Sequence, residues 1–181
     1  MAKSMEKFQE KIQNKIDTAE DTFSEDDQIL SFILGDEEYG VDILRVQEIK
    51  GWEITTAIPN TPNYVMGVIN LRGAVVPIVD LRVRFGLDDV TYNESTVVII
   101  LRAHLENGYN KIIGLVVDGV SDVHSVHTES LQSAPSINGA INTDYITGLA
   151  TVADKMVIIL SVDQLINDGI LSAIEKTLRK D

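Results

Sequence analysis

The sequence predicts an all-β protein built as barrels or as a sandwich. Seven or more short runs rich in Val and Ile alternate with turn residues, which is the pattern of all-β domains. Two segments of the chain also match two later segments in the same order, which predicts two similar β units. Apolar residues at helical spacing occur near both ends of the chain. We therefore expect a β body flanked by N- and C-terminal helical segments.

Residues 1–27 are predicted to form a tail or helix distinct from the body. A narrow apolar stripe recurs at three- and four-residue steps: Phe8, Ile12, Ile16, Ala19 and Phe23. Residues 1–16 carry four lysines and two glutamates, a net charge of +2 (4 − 2), whereas residues 17–27 carry six acids and no base. Because isolated helices of this length are marginal in water, the segment is either a mobile tail or an amphipathic helix that docks on a partner or on the body.

The folded body is predicted to begin at Ile29. Its expected strands are 29–34, 39–49, 54–58, 65–71, 74–81, 96–101, 111–118, 146–152 and 155–162. Beyond them, residues 163–181 carry apolar side chains at helical spacing, and Asp163 is the expected N-cap. This last segment is predicted to be a packing helix.

The central stretch Tyr64–Phe85 holds two apolar runs separated only by Arg72-Gly73. Both runs are too short to span a membrane and are rich in Val and Ile, which predicts two buried strands. Gly73 supplies the positive φ of a tight hairpin turn, so the strands are expected to pair antiparallel. Arg72 then lies at the hairpin tip, either as a solubilising charge or as a fixed point charge for a partner.

An internal repeat divides the body. Two pairs of segments match: Gly40–Ile49 with Gly114–Val123, and Tyr64–Gly67 with Tyr145–Gly148. The offsets are 74 (114 − 40) and 81 (148 − 67), and a longer loop in the second half absorbs the difference. We expect two small β units, at about residues 29–90 and 95–162, unless the match is a chance similarity of apolar strands.

The composition of the chain disfavours several classes of function. A formal net charge of −13 disfavours general binding to nucleic acid or anionic lipid, because the long-range field repels both. The chain has no cysteine, which excludes disulfides, thiol nucleophiles and cysteine-based metal sites. The N-terminus lacks the apolar core of a secretion signal, and no stretch approaches 18 apolar residues, so we expect a cytoplasmic protein.

Motifs for catalysis and cofactor binding are missing. The sequence contains neither a phosphate-binding glycine loop nor a Gly-x-Ser-x-Gly elbow. His124 and His127 lie three residues apart, but on an extended strand such residues point to opposite faces and do not converge on a metal. We predict no enzyme, no cofactor and no metal site, and metal analysis of the purified protein would test the alternative of a metal-dependent hydrolase.

One predicted strand has the character of a binding surface. Val46 and Glu48 are two residues apart on the predicted strand 39–49, so we expect both on one face. An apolar side chain beside a charge is a common means of binding a helix, since one supplies affinity and the other orientation. The alternative is an ordinary exposed strand edge.

The motifs GDEEYGVDILRVQEIKG, IPNTPNYVMGVINLRGAVVPIVDLRVRFG, GLVVDGVSDV and YITGLA together resemble the CheW family of chemotaxis coupling proteins. The resemblance extends from about Ile29 to Leu165, and it implies a CheW-like domain over residues 28–165. The implied fold is two five-stranded, SH3-like β-barrels that share a hydrophobic core. The implied role is that of a scaffold that couples methyl-accepting chemoreceptors to the histidine kinase CheA at membrane-associated arrays, without inserting into the membrane.

The same resemblance implies contact residues. Val46, Glu48 and Arg72 match receptor contacts that line a groove between the barrels and accept the tip of the receptor's helical hairpin. For the regulatory domain of CheA, the implied contacts are Ile43 and the loop LQSAPSI. In that loop the contact positions are Gln132 and Ile137, where relatives are often basic and aromatic. A regulatory module of a CheA- or CheV-type protein is the alternative, although the chain holds neither a kinase nor a receiver region.

Overall fold

The computed structural model describes residues 2–19, 27–133 and 145–167, and it confirms the predicted all-β body. The helices are α1 (Ala2–Ala19), α2 (Leu81–Arg84) and α3 (Val162–Leu165), and 3₁₀ turns cover Ile43–Arg45 and Thr128–Ser130. The strands are β1 (Asp27–Leu34), β2 (Glu37–Asp42), β3 (Val46–Gly51), β4 (Val65–Leu71), β5 (Ala74–Asp80), β6 (Val97–His104), β7 (Asn110–Val117), β8 (Gly119–Val126), β9 (Ile146–Val152) and β10 (Lys155–Leu160).

The described strands form two five-stranded sheets. Sheet A has the strand order β8-β1-β2-β10-β9, and sheet B has the order β3-β6-β7-β5-β4. Neighbouring strands pair antiparallel except for β2 with β10 and β5 with β7. One antiparallel bridge joins the ends of each sheet, Gln132 with Leu149 in sheet A and Thr56 with Val68 in sheet B. The segment that follows β8 or β3 thus reaches the far edge strand and closes each sheet into a small barrel.

The strand pairing corrects the predicted division into one barrel of residues 29–90 and another of residues 95–162. β1 and β2 come from the first half of the chain, yet they pair with β8 and β10 from the second half. The repeat itself is present. Each of the strands β1 to β5 occupies one position in its sheet, and the strand five places later in the chain occupies the same position in the other sheet. Sequence similarity identifies the corresponding strands, but it does not show that the first hairpin of each repeat joins the other repeat's sheet.

Corresponding glycines lie at the centre of both sheets. Gly40 in β2 is in register with Ile159 of β10, and Gly114 in β7 is in register with Ile78 of β5. A Cβ atom on Gly114 would come within 2.5 Å of Ile78 Cδ1, and one on Gly40 within 2.9 Å of Ile29 Cδ1. Both positions therefore need glycine so that isoleucine side chains can pack across the strand, which is why the repeat is clearest there.

The hydrophobic core is shared by the two sheets, as the resemblance implies. One cluster combines buried side chains of both sheets with Ile12 and Ile16 of α1, and it includes Phe32 and Tyr39 with ring centroids 6.1 Å apart. A smaller cluster fills the other face of each sheet, inside the barrels. Because both sheets bury one face in the same cluster, they form a single packed body rather than two independent domains.

Several local predictions are wrong. The expected strand 39–49 is interrupted by the 3₁₀ turn Ile43–Arg45, where the chain passes from sheet A to sheet B. The expected strand 54–58 is reduced to the single bridge at Thr56. β8 was not expected, since its alternation of small and polar residues lacks a continuous apolar run.

The predictions for the helical segments before and after the body are confirmed in part. The N-terminal stripe forms a helix, α1, as far as Ala19, and its residues Ile12 and Ile16 are buried against the body. Phe23, the last residue of the predicted stripe, lies outside the described residues. Near the C-terminus the N-cap is Ser161 rather than Asp163, because the Ser161 hydroxyl accepts a hydrogen bond from the backbone N–H of Gln164. The rest of the predicted C-terminal helix, residues 168–181, lies outside the described residues.

Candidate partner-binding surface

Arg72 lies at the tip of the β4–β5 hairpin, as predicted. Leu71 pairs with Ala74, and the two-residue loop between them has φ values of 50° at Arg72 and 89° at Gly73. Two consecutive positive φ angles define a type I′ turn, which matches the twist of the strands. The side chain of Asn70 accepts a hydrogen bond from the Gly73 N–H at 3.0 Å and fixes the turn. The Arg72 side chain is 68% exposed, so a rigid turn presents its charge to solvent.

Glu48 of β3 forms an ion pair with Arg72. A guanidinium nitrogen of Arg72 donates a hydrogen bond to Glu48 Oε1, although Glu48 lies in the edge strand β3 and Arg72 follows the opposite edge strand, β4. Closure of the barrel brings these edges together. The structure thus joins two of the three predicted receptor contacts into one charged pair, in which Glu48 is half-buried and Arg72 is exposed.

Val46 lies on the opposite face of β3, contrary to the prediction that it shares a face with Glu48. Val46 pairs with Leu101, whose side chain belongs to the shared core, whereas Glu48 pairs with Ile100 of the cluster inside barrel B. The cause is a β-bulge at Gln47, which adds one residue and reverses the alternation. Val46 is only 5% exposed, so it presents no free apolar surface beside the charged pair.

Ile43 is also a core residue, at 2% exposure. Asp42 caps the 3₁₀ turn by accepting a hydrogen bond from the Leu44 N–H, and this geometry turns Ile43 inward while Leu44 is 57% exposed. A contact with the kinase through the Ile43 side chain itself would require the core to open. Leu44, which sequence reasoning did not single out, is the apolar side chain that this turn offers to solvent.

Gln132 lies on the barrel-closing bridge of sheet A. Its backbone exchanges hydrogen bonds of 2.9 Å and 2.7 Å with Leu149, and its side chain is exposed. Thr56 makes the corresponding bridge in sheet B, so Gln132 occupies a position defined by the repeat. Ile137, predicted together with Gln132, lies outside the described residues.

Helix α1 covers the Val46 face of β3. It contacts β3, the 3₁₀ turn Ile43–Arg45 and β8, which are the elements at the junction of the two sheets. The Gln13 side-chain amide donates a hydrogen bond to the Gln47 carbonyl at 3.3 Å. Phe8 and Ile12 line a mostly apolar cavity of about 130 Å³ with Ile49 and Val120. Of the two outcomes left open for this segment, the structure shows a helix docked on the body.

A buried ionic network at Arg82 is a second feature that sequence reasoning did not identify. Arg82 follows Asp80 by two residues at the end of β5, and its guanidinium makes two bonds to the Asp80 carboxylate, at 3.0 Å and 2.8 Å. The same guanidinium donates to Asp118 Oδ1 at 2.9 Å and to the Thr91 carbonyl at 2.6 Å. Asp118 Oδ2 in turn accepts a hydrogen bond of 2.7 Å from the N–H of Gly35, in the turn that joins β1 and β2 of sheet A. The network therefore connects both sheets.

The electrostatics of this network keep Arg82 charged. Burial lowers the pKa of Arg82, but the hydrogen bonds and negative charges of Asp80 and Asp118 outweigh that effect and raise the pKa above its ordinary value. Tyr92 donates a hydrogen bond to Asp80 Oδ2 at 2.6 Å, and burial together with this bond raises the pKa of Tyr92 to about 12. An Asp-Leu-Arg triplet at the end of an apolar strand was the available sequence signal.

Two structural features are absent from residues 2–19, 27–133 and 145–167. No cluster of three or more His, Asp or Glu side chains able to hold a metal ion occurs in these ranges. Within the same ranges, no helix combines the length and the apolar character needed to cross a membrane. The surface features of interest are thus the Arg72–Glu48 pair, the exposed 3₁₀ turn and the α1-covered face of β3.

Comparisons with known proteins agree with this geometry. The family model of the CheW-like domain matches residues 28–169. The chain is 43% identical over 152 residues to the chemotaxis protein CheW of Klebsiella aerogenes, an alignment that covers 84% of this chain and 89% of that protein. The chain belongs to the CheW family. This CheW-like protein is also 35% identical over 143 residues to the probable chemotaxis protein CheW of Rhizobium etli, which covers 79% of this chain and 89% of the relative.

A solved structure supports the same assignment for this CheW-like protein. The crystal structure of the scaffolding protein TtCheW from Thermoanaerobacter tengcongensis superimposes with a TM-score of 0.69 at 33% sequence identity. The match covers 78% of this chain and 88% of that one. It therefore supports the fold of the two-sheet body that holds Arg72 and Glu48.

Proposed function

We propose that this chemotaxis adaptor couples methyl-accepting chemoreceptors to the histidine kinase CheA. It would bind both partners and hold them in a fixed geometry, without catalysing a reaction. Receptor state would then bias kinase activity through a population shift, since a scaffold transmits a signal only through its different affinities for the partners' states. Its place of action would be the cytoplasmic side of membrane-associated receptor arrays, where many modest contacts add to avidity.

The Arg72–Glu48 pair is the observation that supports a receptor contact most directly. The type I′ turn holds the charge of Arg72 in place, so little conformational entropy is lost when a partner engages it. Glu48 orients the guanidinium through one nitrogen, and the remaining N–H groups can donate to an acceptor on a receptor helix. Val46, the third proposed receptor contact, requires a change at α1 before it becomes accessible.

The kinase contact is proposed to lie on two exposed segments. One is the 3₁₀ turn Ile43–Arg45, where buried Ile43 would shape the turn and exposed Leu44 would make the contact. The other is the bridge segment of sheet A that contains Gln132, followed in the chain by Ile137. A contact between barrels would use such segments, because backbone held by ladder hydrogen bonds moves little on binding.

Reversing the charge of Arg72 tests the receptor contact. We expect Arg72→Glu to weaken binding to a soluble helical-hairpin fragment of a chemoreceptor tip by about tenfold or more, because it places two acids together and removes the donor. The measurement is calorimetric titration, with circular dichroism as a check of folding. Arg102→Glu is the matched control, since it makes the same charge change at an exposed residue of β6. Equal loss in both variants, or no loss in the folded Arg72 variant, would remove Arg72 from the contact.

A further inference from the structure

We propose that the face of β3 beneath α1 is a helix-docking groove, and that α1 is its built-in occupant, which a chemoreceptor helix displaces. The groove consists of the Val46 face of β3, the 3₁₀ turn Ile43–Arg45 and the adjoining part of β8. This inference rests on the proposed receptor-binding function and adds regulation of that site by the chain itself.

The packing of α1 is that of an amphipathic helix bound in a groove. Phe8, Ile12 and Ile16 occur at four-residue steps, and all three pack against the shared core. Ile12 and Ile16 lie in the same buried cluster as Val46. A helix anchored by apolar residues at such spacing is one of the recurring modes by which proteins bind a helical partner.

The fit between α1 and the groove is incomplete. A cleft of about 130 Å³ that is partly open to solvent lies beside the N-terminal half of the helix, so Phe8 does not fill the space between Ile49 and Val120. The residual space reduces the dispersion energy that holds α1 in place, so another helix with larger side chains at these positions can compete for the groove.

Charge also favours a reversible contact. Residues 1–16 carry a net charge of +2, whereas residues 27–167, which include the body, carry −10 (8 − 18). Exposed Lys7 and Lys11 therefore dock in the field of an acidic body. Such long-range attraction between exposed charges is screened within about 10 Å at 0.1 M salt, and α1 is expected to be released more easily as salt rises.

The position of α1 explains why one face of β3 is accessible to a partner and the other face is covered. The Glu48–Arg72 pair lies on the face of β3 that α1 does not cover, so it remains available whether or not α1 is docked. Val46, on the covered face, is available only after α1 leaves. A receptor helix would first meet the charged pair and then exchange with α1 for the apolar groove.

A covalent lock tests the proposal without removing the helix. The chain has no cysteine, so Gln9→Cys with Gly51→Cys accepts a short bis-maleimide at one defined pair of sites. These positions are suitable because a Cβ on Gly51 would lie 3.9 Å from Gln9 Nε2. We expect the crosslinked protein to bind the receptor-tip fragment about tenfold or more weakly than the same variant before crosslinking, since its binding-competent fraction falls.

A releasing variant tests the opposite direction. Ile12→Ala with Ile16→Ala removes the anchors of α1, and we expect at least about threefold tighter binding of the receptor-tip fragment because less of the protein is occluded. Glu10→Asp is the control on the exposed side of the same helix; it keeps the charge and should leave the affinity within about twofold. Light scattering on each variant measures whether α1 instead docks on a second copy.

The outcomes separate this inference from the proposed function. Weaker binding by the locked form and tighter binding by the released form would support α1 as a competitor. Equal binding by locked, wild-type and released forms would overturn the inference while leaving receptor binding intact. A dimer that requires Ile12 would also overturn it, because α1 would then occupy a neighbouring molecule. Failure of every form to bind the receptor fragment would reject the proposed function and this inference with it.

Discussion

The hairpins of the two repeats have the same backbone turn but different side chains. In the β4–β5 hairpin the turn residues Arg72 and Gly73 have φ values of 50° and 89°, and in the β9–β10 hairpin Ala153 and Asp154 have values of 49° and 64°. Only the first hairpin places a cation at the tip. The repeated frame thus supplies the rigidity, whereas the binding chemistry is proposed to depend on a side chain present in one copy.

At each of two corresponding places in the fold, a carboxylate binds both an arginine and a backbone N–H, and we call this contact a junction. The two junctions correspond in position, but the acid and the base are exchanged. In the first junction the carboxylate of Asp118 bonds Arg82 and the backbone N–H of Gly35, at 2.9 Å and 2.7 Å. In the other, the carboxylate of Asp163 bonds Arg45 and the backbone N–H of His104, at 2.8 Å and 2.7 Å.

The acid and the base have exchanged places between the two junctions. Arg82 lies in the short helix after β5, and the corresponding short helix after β10 holds Asp163. In each junction a carboxylate accepts a hydrogen bond from a backbone N–H at the end of a strand or in a turn, and a guanidinium neutralises the carboxylate. Either side of the junction can supply either group.

The two junctions differ most in burial, and burial sets the largest expected effect. The Arg82 side chain is 2% exposed and that of Arg45 is 23% exposed. Arg82→Met leaves the buried Asp80 carboxylate without its cation, and we expect a loss of about 3–5 kcal/mol in the free energy of unfolding. Arg45→Met, the matched control, should lose only about 1 kcal/mol because Asp163 keeps its bond to His104 and some hydration.

Urea denaturation monitored by circular dichroism measures both losses, and the difference between the variants tests the comparison. Similar losses at the two sites would show that burial does not distinguish the junctions. A larger loss for the Arg45 variant would reverse their order and contradict the expectation that the more buried junction contributes more to stability.

Substitutions in the two hairpin turns are expected to have smaller effects on stability, and only one of them is expected to affect binding. Non-glycine residues at positive φ are strained by about 1 kcal/mol, so Ala153→Gly should stabilise the protein by about 0.5 kcal/mol once the added flexibility of the unfolded chain is included. Arg72→Gly should have a similarly small effect on the midpoint of urea unfolding. Only Arg72→Gly should weaken binding of the receptor-tip fragment. Equal loss of binding in both variants would show that the turn geometry matters and the charge does not.

Sequence patterns were sufficient for the parts of the fold that depend on local chemistry. The Arg72-Gly73 turn follows from the φ preference of glycine between two apolar runs, and the α1 stripe follows from helical spacing. The repeat around Gly40 and Gly114 follows from a steric requirement that acts on single residues. The resemblance to the CheW family added the number of strands and the shared core.

The remaining features depend on contacts that sequence spacing does not encode. The exchange of hairpins between sheets involves surfaces that are equally apolar in both repeats. The bulge at Gln47 reverses the side-chain alternation of β3, and so Val46 and Glu48 separate although their spacing predicts a shared face. Arg82 and Asp118 are far apart in the chain and meet only through tertiary packing.

The smallest expected effect concerns the phenol that contacts the Arg82 junction. In the folded protein the pKa of Tyr92 is raised from 10.0 to about 12, first by burial and then by the hydrogen bond to Asp80. A raised pKa means that the folded state retains the proton while the unfolded state loses it. The contribution of Tyr92 to stability is therefore complete below pH 10 and is lost as the pH rises toward about 12.

Tyr92→Phe should consequently flatten the decline of the unfolding midpoint between pH 10 and about 12, while Tyr39, whose pKa burial also raises, maintains part of the slope. Thermal unfolding across that range measures the slope, and Tyr109→Phe is the control because that ring is exposed and outside the junction. An alkaline slope identical in wild type and Tyr92→Phe would show that the phenol is not coupled to Asp80. The stability of this junction would then come from Arg82 and its two carboxylates alone. The two repeats would differ in stability only because the ion pairs of Arg82 are more deeply buried.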